Sequence, residues 1–174
     1  VWDLRGSGRS DAPPGPYDVA ELTEDLHAVL AACGARRVHL IGAGLGGMVA
    51  LRSALTSGRV RSLTLVGTAA RGAGIDLEPL YGDPTDRGSL RESLAAALSE
   101  DLLEAQPDAV EQIVSWRTEE DAARGGWTAQ AAAVESFDAA DRLHEVTVPA
   151  RVVHGTADAV WPIERGRALA EALP

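Results

Sequence analysis

The sequence has no lysine, no asparagine, one cysteine and no hydrophobic run of membrane-spanning length. With Cys33 as its only thiol, the chain can form no internal disulfide and no cysteine-based metal site, and a reducing, cytoplasmic setting is the expectation. Nor is there a segment with the basic-apolar-small order of a secretory signal. All 16 basic residues are arginine, and 26 acidic residues leave a formal net charge of -10. Nucleic acid and anionic membrane surfaces call for clustered positive charge, so neither is an expected partner. A neutral small molecule fits better. The missing lysine and asparagine, with abundant alanine and glycine, point to GC-rich coding and so to the source rather than the function. No internal repeat, low-complexity tract or linker between independent domains is present.

What is there, 174 residues at 45% hydrophobic and 24% charged, suffices for one globular domain with a sizeable core. The chain is organised around Val38-His39-Leu40-Ile41-Gly42-Ala43-Gly44-Leu45-Gly46-Gly47-Met48-Val49-Ala50-Leu51. An apolar run of β type breaks into glycines and resumes with helical spacing, which predicts strand, tight turn, helix. Two functional readings fit the turn. Gly42 and Gly46 match the flanks of a nucleophile elbow, G-x-S-x-G, with Gly44 in the serine place. Gly42, Gly44 and Gly47 also spell G-x-G-x-x-G, the turn that brings a pyrophosphate to a helix N-terminus. A close-packed corner without chemistry is the third possibility.

Around this turn the remaining elements follow from their signals. Val1-Trp2-Asp3-Leu4 reads as the tail of a strand that opens into the glycine turn Arg5-Gly6-Ser7-Gly8-Arg9. Asp18, with Glu21 three residues on, is a capping-box pattern. Val19, Leu22, Leu26, Val29, Leu30 and Cys33 then share a helical face that ends at Gly34. The central helix stops by Gly58, and Leu63-Thr64-Leu65-Val66-Gly67 is a second strand; two strands joined by one helix make a parallel βαβ unit. From Gly72 about seventy residues carry helical patterns alone: Ser89 capping a helix over 90–105, Pro107 opening one through Trp116, and a third over 127–139. Val148 to Gly155 returns to β pattern, and a helix over 163–173 closes the sequence.

Three separated motifs, Asp3-Leu4-Arg5-Gly6-Ser7-Gly8-Arg9-Ser10, Gly42-Ala43-Gly44-Leu45-Gly46-Gly47 and His154-Gly155-Thr156-Ala157-Asp158, together resemble the D-x-R-G-x-G-x-S loop, elbow and acid-bearing turn of the α/β-hydrolase family. The likeness spans nearly the whole chain and is nearest to small bacterial ester and lactone hydrolases of the 3-oxoadipate enol-lactonase type. It implies an α/β fold with a mostly parallel sheet and flanking helices, incomplete here, with core segments 1–71 and 146–174 and a helical cap over 72–145. The strands present would be the fourth to seventh of eight, with both ends truncated. A small ester or lactone is the implied substrate, and no cofactor or metal is implied. By the same resemblance Asp158 matches the triad acid and the Leu45 backbone N–H matches one oxyanion donor. The other donor and the base histidine would lie outside the chain, since His27, His39, His144 and His154 do not match the base position.

Gly44 is where the resemblance and the chemistry part. Removing the nucleophilic serine from a related hydrolase architecture costs about a million-fold in turnover. Glycine also releases the roughly 1–3 kcal/mol of strain that such a backbone position stores. The expectation is therefore a fold that persists without acyl-enzyme chemistry. A non-catalytic ligand-binding relative is one alternative. A dinucleotide-binding protein is the other, although it requires a carboxylate about twenty positions past the turn, where Val66-Gly67-Thr68 stands. Trp116, Trp127 and Phe137 are candidates to line a substrate pocket, with packing expected for at least two of them. Asp3 and Arg5 could contact substrate, with an ion pair fixing their loop the expectation, while His39 is expected to be a satisfied core histidine, Cys33 to pack on its helix face, and His154 to be a strand-end packing or hydrogen-bonding residue.

Overall fold

The capping box predicted at Asp18 starts the first helix, α1 (Val19–Ala32): the Asp18 carboxylate accepts from the Glu21 N–H at 2.8 Å while the Glu21 carboxylate accepts from the Asp18 N–H. The computed structural model describes residues 1–119 and 124–174. They fall into two compact units, residues 16–75 with 132–174 and residues 1–15 with 76–131.

In the first of these, α1 buries Val19, Leu22 and Leu26 and ends at Gly34, whose φ of +65° suits glycine. Cys33 is exposed, against expectation, because it caps the helix instead of lying on its apolar stripe. β1 (Val38–Ala43), α2 (Leu45–Thr56) and β2 (Val60–Val66) form the predicted βαβ unit, and β3 (Ala150–Val153) joins on the far side of β2. Both pairings are parallel, in the order β1-β2-β3. The core is built on Leu22 and Leu26 of α1, Met48 and Leu51 of α2, Leu63 and Leu65 of β2, and Leu169 of α7 (Ile163–Ala172). His27 ties α1 to α2 through Ser53 Oγ at 3.1 Å.

Period-two alternation puts His39, Ile41 and Ala43 on the opposite sheet face from this core. Ile41 is 79% exposed, and the outer edge of β1 has no partner strand among the described residues. His39 is consequently not a core histidine: its ring is exposed and bonded to Ser62 Oγ at 2.7 Å on the neighbouring strand. Further along the chain, Gly72 donates to the Phe137 carbonyl and Ala139 to that of Ala70. A Cβ at Gly72 would run into the Val134 backbone, with the Val134 carbonyl carbon 2.6 Å away.

In the other unit, Val1–Leu4 is not a strand. Its backbone acceptors are taken up by its own loop: Ser10 Oγ donates to the Asp3 carbonyl at 2.6 Å, and Ser7 Oγ to that of Leu4 at 2.9 Å. The sheet therefore has three strands among the described residues where four were expected. α3 (Arg87–Ala97), α4 (Glu100–Ala105), α5 (Pro107–Glu119) and α6 (Arg124–Ser136) follow, with α6 running across the boundary between the units. Leu90, Leu94 and Val114 hold α3 to α5, with Leu98, Leu103, Val110 and Ile113 packed around them. The helix expected over 90–105 is two helices. Asp86, not Ser89, caps the first by accepting from Gly88 N–H, and Ser99 interrupts the run to cap the second by accepting from Leu102 N–H. The third helix of the segment ends at Ser136 rather than at 139, because Asp138 accepts from the Ala140 N–H and starts a 3-10 turn over Ala140–Glu145.

Candidate functional site

Where β1 meets α2 the chain has to reverse within one residue, and Gly44 does so at φ +51°, ψ −122° as the N-cap of the helix. Its N–H is shared between the carbonyls of Val66 at 3.1 Å and Gly67 at 3.2 Å, which pins the turn to the end of β2. Thr68 Oγ1 donates to the Gly44 carbonyl at 2.7 Å. The turn is thus held by hydrogen bonds to Val66, Gly67 and Thr68 at the end of β2 and needs no side chain at Gly44. Leu45 occupies the first position of α2, where an N–H has no intrahelical acceptor and lies at the positive end of the helix dipole.

The glycines of the turn are not equivalent. A Cβ at Gly42 would meet only backbone, the Gly46 carbonyl carbon at 2.5 Å and Gly47 Cα at 2.7 Å. A Cβ at Gly47 would run into the Thr68 side chain at 2.6 Å, whereas at Gly46, among the described residues, nothing beyond the adjoining helix backbone lies within 4 Å. Gly42 and Gly47 are there for close approach of strand, helix and the next strand's end.

Asp158 lies in the turn after β3, half-buried. One carboxylate oxygen, Oδ1, accepts from the backbone N–H groups of Trp161 at 2.8 Å and Val160 at 3.1 Å. The other, Oδ2, stands 3.3 Å from the Cβ position of Gly67. Since Gly67 accepts from Gly44, the ends of all three strands bring the elbow and the carboxylate into one neighbourhood. Oδ2 accepts no hydrogen bond among the described residues and is available to a donor such as an imidazole. Between them lies Trp161, 6% exposed, with indole Cζ2 3.3 Å from the Cβ position of Gly44.

The remaining candidates sit elsewhere. His154 Nε2 is 2.6 Å from the Trp161 carbonyl, so it carries the proton and donates; this is the strand-end hydrogen-bonding role expected of it. His144 is an exposed residue of the 3-10 turn. Phe137 is buried at the end of α6, Trp127 stacks obliquely on Tyr81 at 5.8 Å between ring centres, and Trp116 is 58% exposed. Asp3 accepts from the Arg9 N–H and lies against Gly8, organising its loop. Sequence reasoning missed Trp161 and Thr68. An aromatic within the short apolar pair Val160-Trp161, between a turn aspartate and a proline, was the available signal for the first. A hydroxyl just past the second strand was the signal for the other.

The dinucleotide alternative finds no carboxylate within Val66-Gly67-Thr68, and the Thr68 hydroxyl there is engaged with the Gly44 carbonyl. Among the described residues no three His, Cys, Asp or Glu side chains are grouped to hold a metal ion, and no helix is long and apolar enough to cross a membrane.

Known proteins share this fold. A "Putative carbamate hydrolase RutD" from Azorhizobium caulinodans is 29% identical over the whole of this chain, which spans 68% of that protein. The crystal structure of the enol-lactonase from Burkholderia xenovorans LB400 superposes with a TM-score of 0.82 at 27% identity, covering 98% of this chain and 67% of its own. A thermophilic esterase from Thermogutta terrifontis superposes at 0.74 and 26% identity, covering 99% and 66%. The family profile for the alpha/beta hydrolase fold matches residues 1–174. A parallel sheet with flanking helices, a tight glycine turn at its carboxyl edge and this family match lead to one conclusion: the chain belongs to the α/β-hydrolase family.

Proposed function

We propose that this chain is a hydrolase scaffold for small carboxylic esters, lactones or carbamates that forms no acyl-enzyme, with Asp158 as the ancestral acid and the Leu45 N–H as an oxyanion donor. The single observation that carries the reading is Gly44 itself: an elbow backbone at φ +51°, ψ −122° with no atom able to attack a carbonyl. The carboxylate and the helix N-terminus support the ancestry, since both stand at the carboxyl ends of the strands, where ligands of open α/β sheets bind. The division into core segments 1–71 and 146–174 and a cap over 72–145 belongs to the same reading.

The test is pre-steady-state hydrolysis of p-nitrophenyl acetate by the full-length protein, followed by intact-mass spectrometry. No burst of p-nitrophenol and no acetyl adduct are expected. A burst equal to the enzyme concentration would refute the reading.

A second reading rests on the relatives named as putative carbamate hydrolases. A carbamate can be attacked by water directly, and in that case the chain supplies the acid and the oxyanion donor without a covalent step. Conversion of ammonium carbamate to bicarbonate and ammonia faster than its spontaneous decay is the corresponding assay.

A further inference from the structure

Trp161 has no part in the chemistry derived above, yet among the described residues it is the side chain nearest the Cβ position of Gly44. Its indole presents Cζ2, Cε2 and Nε1 at 3.3, 3.5 and 3.6 Å from the Cβ position of Gly44. Three ties hold it there. The Trp161 backbone N–H donates to Asp158 Oδ1, and the neighbouring Val160 backbone N–H donates to the same oxygen. Its carbonyl accepts from His154 Nε2. The His154 ring is itself wedged against Gly166 of α7, with Cγ 2.7 Å from the Cβ position there, and its buried Nδ1 has no partner among the described residues. A buried ring nitrogen left unpaired is unfavourable. The imidazole's hydrogen-bonding contribution at this place is the bond to Trp161.

We propose that Trp161 is a specificity-determining residue matched to Gly44, its indole taking the space into which a side chain at position 44 would project and so restricting what reaches the elbow. A contact of 3.3 Å is tighter than ordinary carbon packing, so any Cβ at 44 pushes on a buried ring whose backbone Asp158 and His154 hold in place. The pairing rests on the reading that Gly44 is the vacated nucleophile position, and adds to it that adding a serine alone does not reopen the site. The elbow, the acid and the ring form one packed unit, in which glycine and tryptophan compensate each other in size.

The test is a double-mutant cycle in the full-length protein with Gly44→Ser, Trp161→Val and both together, read by thermal midpoint and by kcat/KM for p-nitrophenyl acetate. Overpacking relieved by the second change predicts that Gly44→Ser lowers the midpoint by about 2–4 °C more when Trp161 is kept than in the Trp161→Val background. It also predicts kcat/KM at least about tenfold higher for the double variant than for Gly44→Ser alone. Midpoints that add within about 1 °C, or a Gly44→Ser protein as active as the double variant, overturn the pairing. A burst from the unmodified protein would instead sink the reading of Gly44 as catalytically empty, and the thermal cycle would still decide the packing claim.

Discussion

Gly42 and Gly46 flank the elbow symmetrically in the sequence, and the structure assigns them opposite sensitivities. A methyl group at Gly42 would fall on the Gly46 carbonyl group and on Gly47 Cα, all backbone atoms of the first turn of α2. No side-chain rotation can relieve that overlap; either the end of β1 or the start of α2 has to move, and the Gly44 hydrogen bonds to Val66 and Gly67 move with it. Overpacking a tight site costs about 1–3 kcal/mol where side chains can yield, and here they cannot, so about 3 kcal/mol or more is expected for Gly42→Ala. For a protein of this size that is a fall of about 6–12 °C in thermal midpoint. At Gly46 no atom outside the adjoining helix backbone lies within 4 Å of the added methyl among the described residues, and the backbone is helical. There Ala replaces a residue that costs a helix interior about 0.5–1 kcal/mol, so Gly46→Ala is expected to leave the midpoint unchanged or raise it slightly. Circular dichroism melts of the two variants in the full-length protein make the comparison. A Gly42→Ala midpoint within about 2 °C of the parent, or a Gly46→Ala variant that falls as far as Gly42→Ala, would refute the steric argument.

Two further outcomes follow from exposed features of the molecule. The 174 residues expressed alone are expected to bind the dye ANS and to lack sharp near-UV dichroism, because Ile41 and Val153 stand on an uncovered sheet face and β1 has an unpaired edge among the described residues; a cooperative thermal transition would contradict this. The second concerns acid. The Ala140 N–H, with the Arg71 guanidinium at 2.7 Å, holds the Asp138 carboxyl below the usual carboxylate range, and Arg91 and Arg87 do the same for Glu111. A carboxylate with a depressed folded pKa contributes stability that is present above its unfolded pKa and lost as the pH falls through the folded value. Stability is therefore expected to decline below about pH 4. Asp138→Asn keeps an acceptor for Ala140 and should show a shallower decline; a midpoint that rises between about pH 6 and about pH 3 would overturn the assignment.

Local signals decided a good part of this fold in advance. The capping box at Asp18 and Glu21, the helix opening at Pro107, the apolar run broken by glycines at 42–47 and the return of β pattern after the helical stretch are all properties of neighbouring residues, and each element stands close to where it was expected. Parallel pairing of β1 and β2 followed as well, since a single helix between them leaves that geometry. The family resemblance was legible for a related reason: its motifs are short and the chemistry they serve demands particular backbone bends. Where local signals competed, they misled. Ser89 was expected to cap the helix, but Asp86 holds that place while Ser89 Oγ accepts from the Asp83 N–H.

What the chain order could not reveal depends on residues far apart in sequence. Alternation in β1 says that His39 and Ile41 share a face, but only the placement of α1 and α2 decides that this face is not the core. Val1–Leu4 has the composition of a strand, yet a strand exists only if another offers its backbone, and the serines of its own loop bind it instead. The sequence by itself established that the elbow carries glycine where a nucleophile would stand. The tertiary structure alone shows Trp161 lying over Gly44, fixed by Asp158 and His154, because that contact forms only when the ends of β1, β2 and β3 come together.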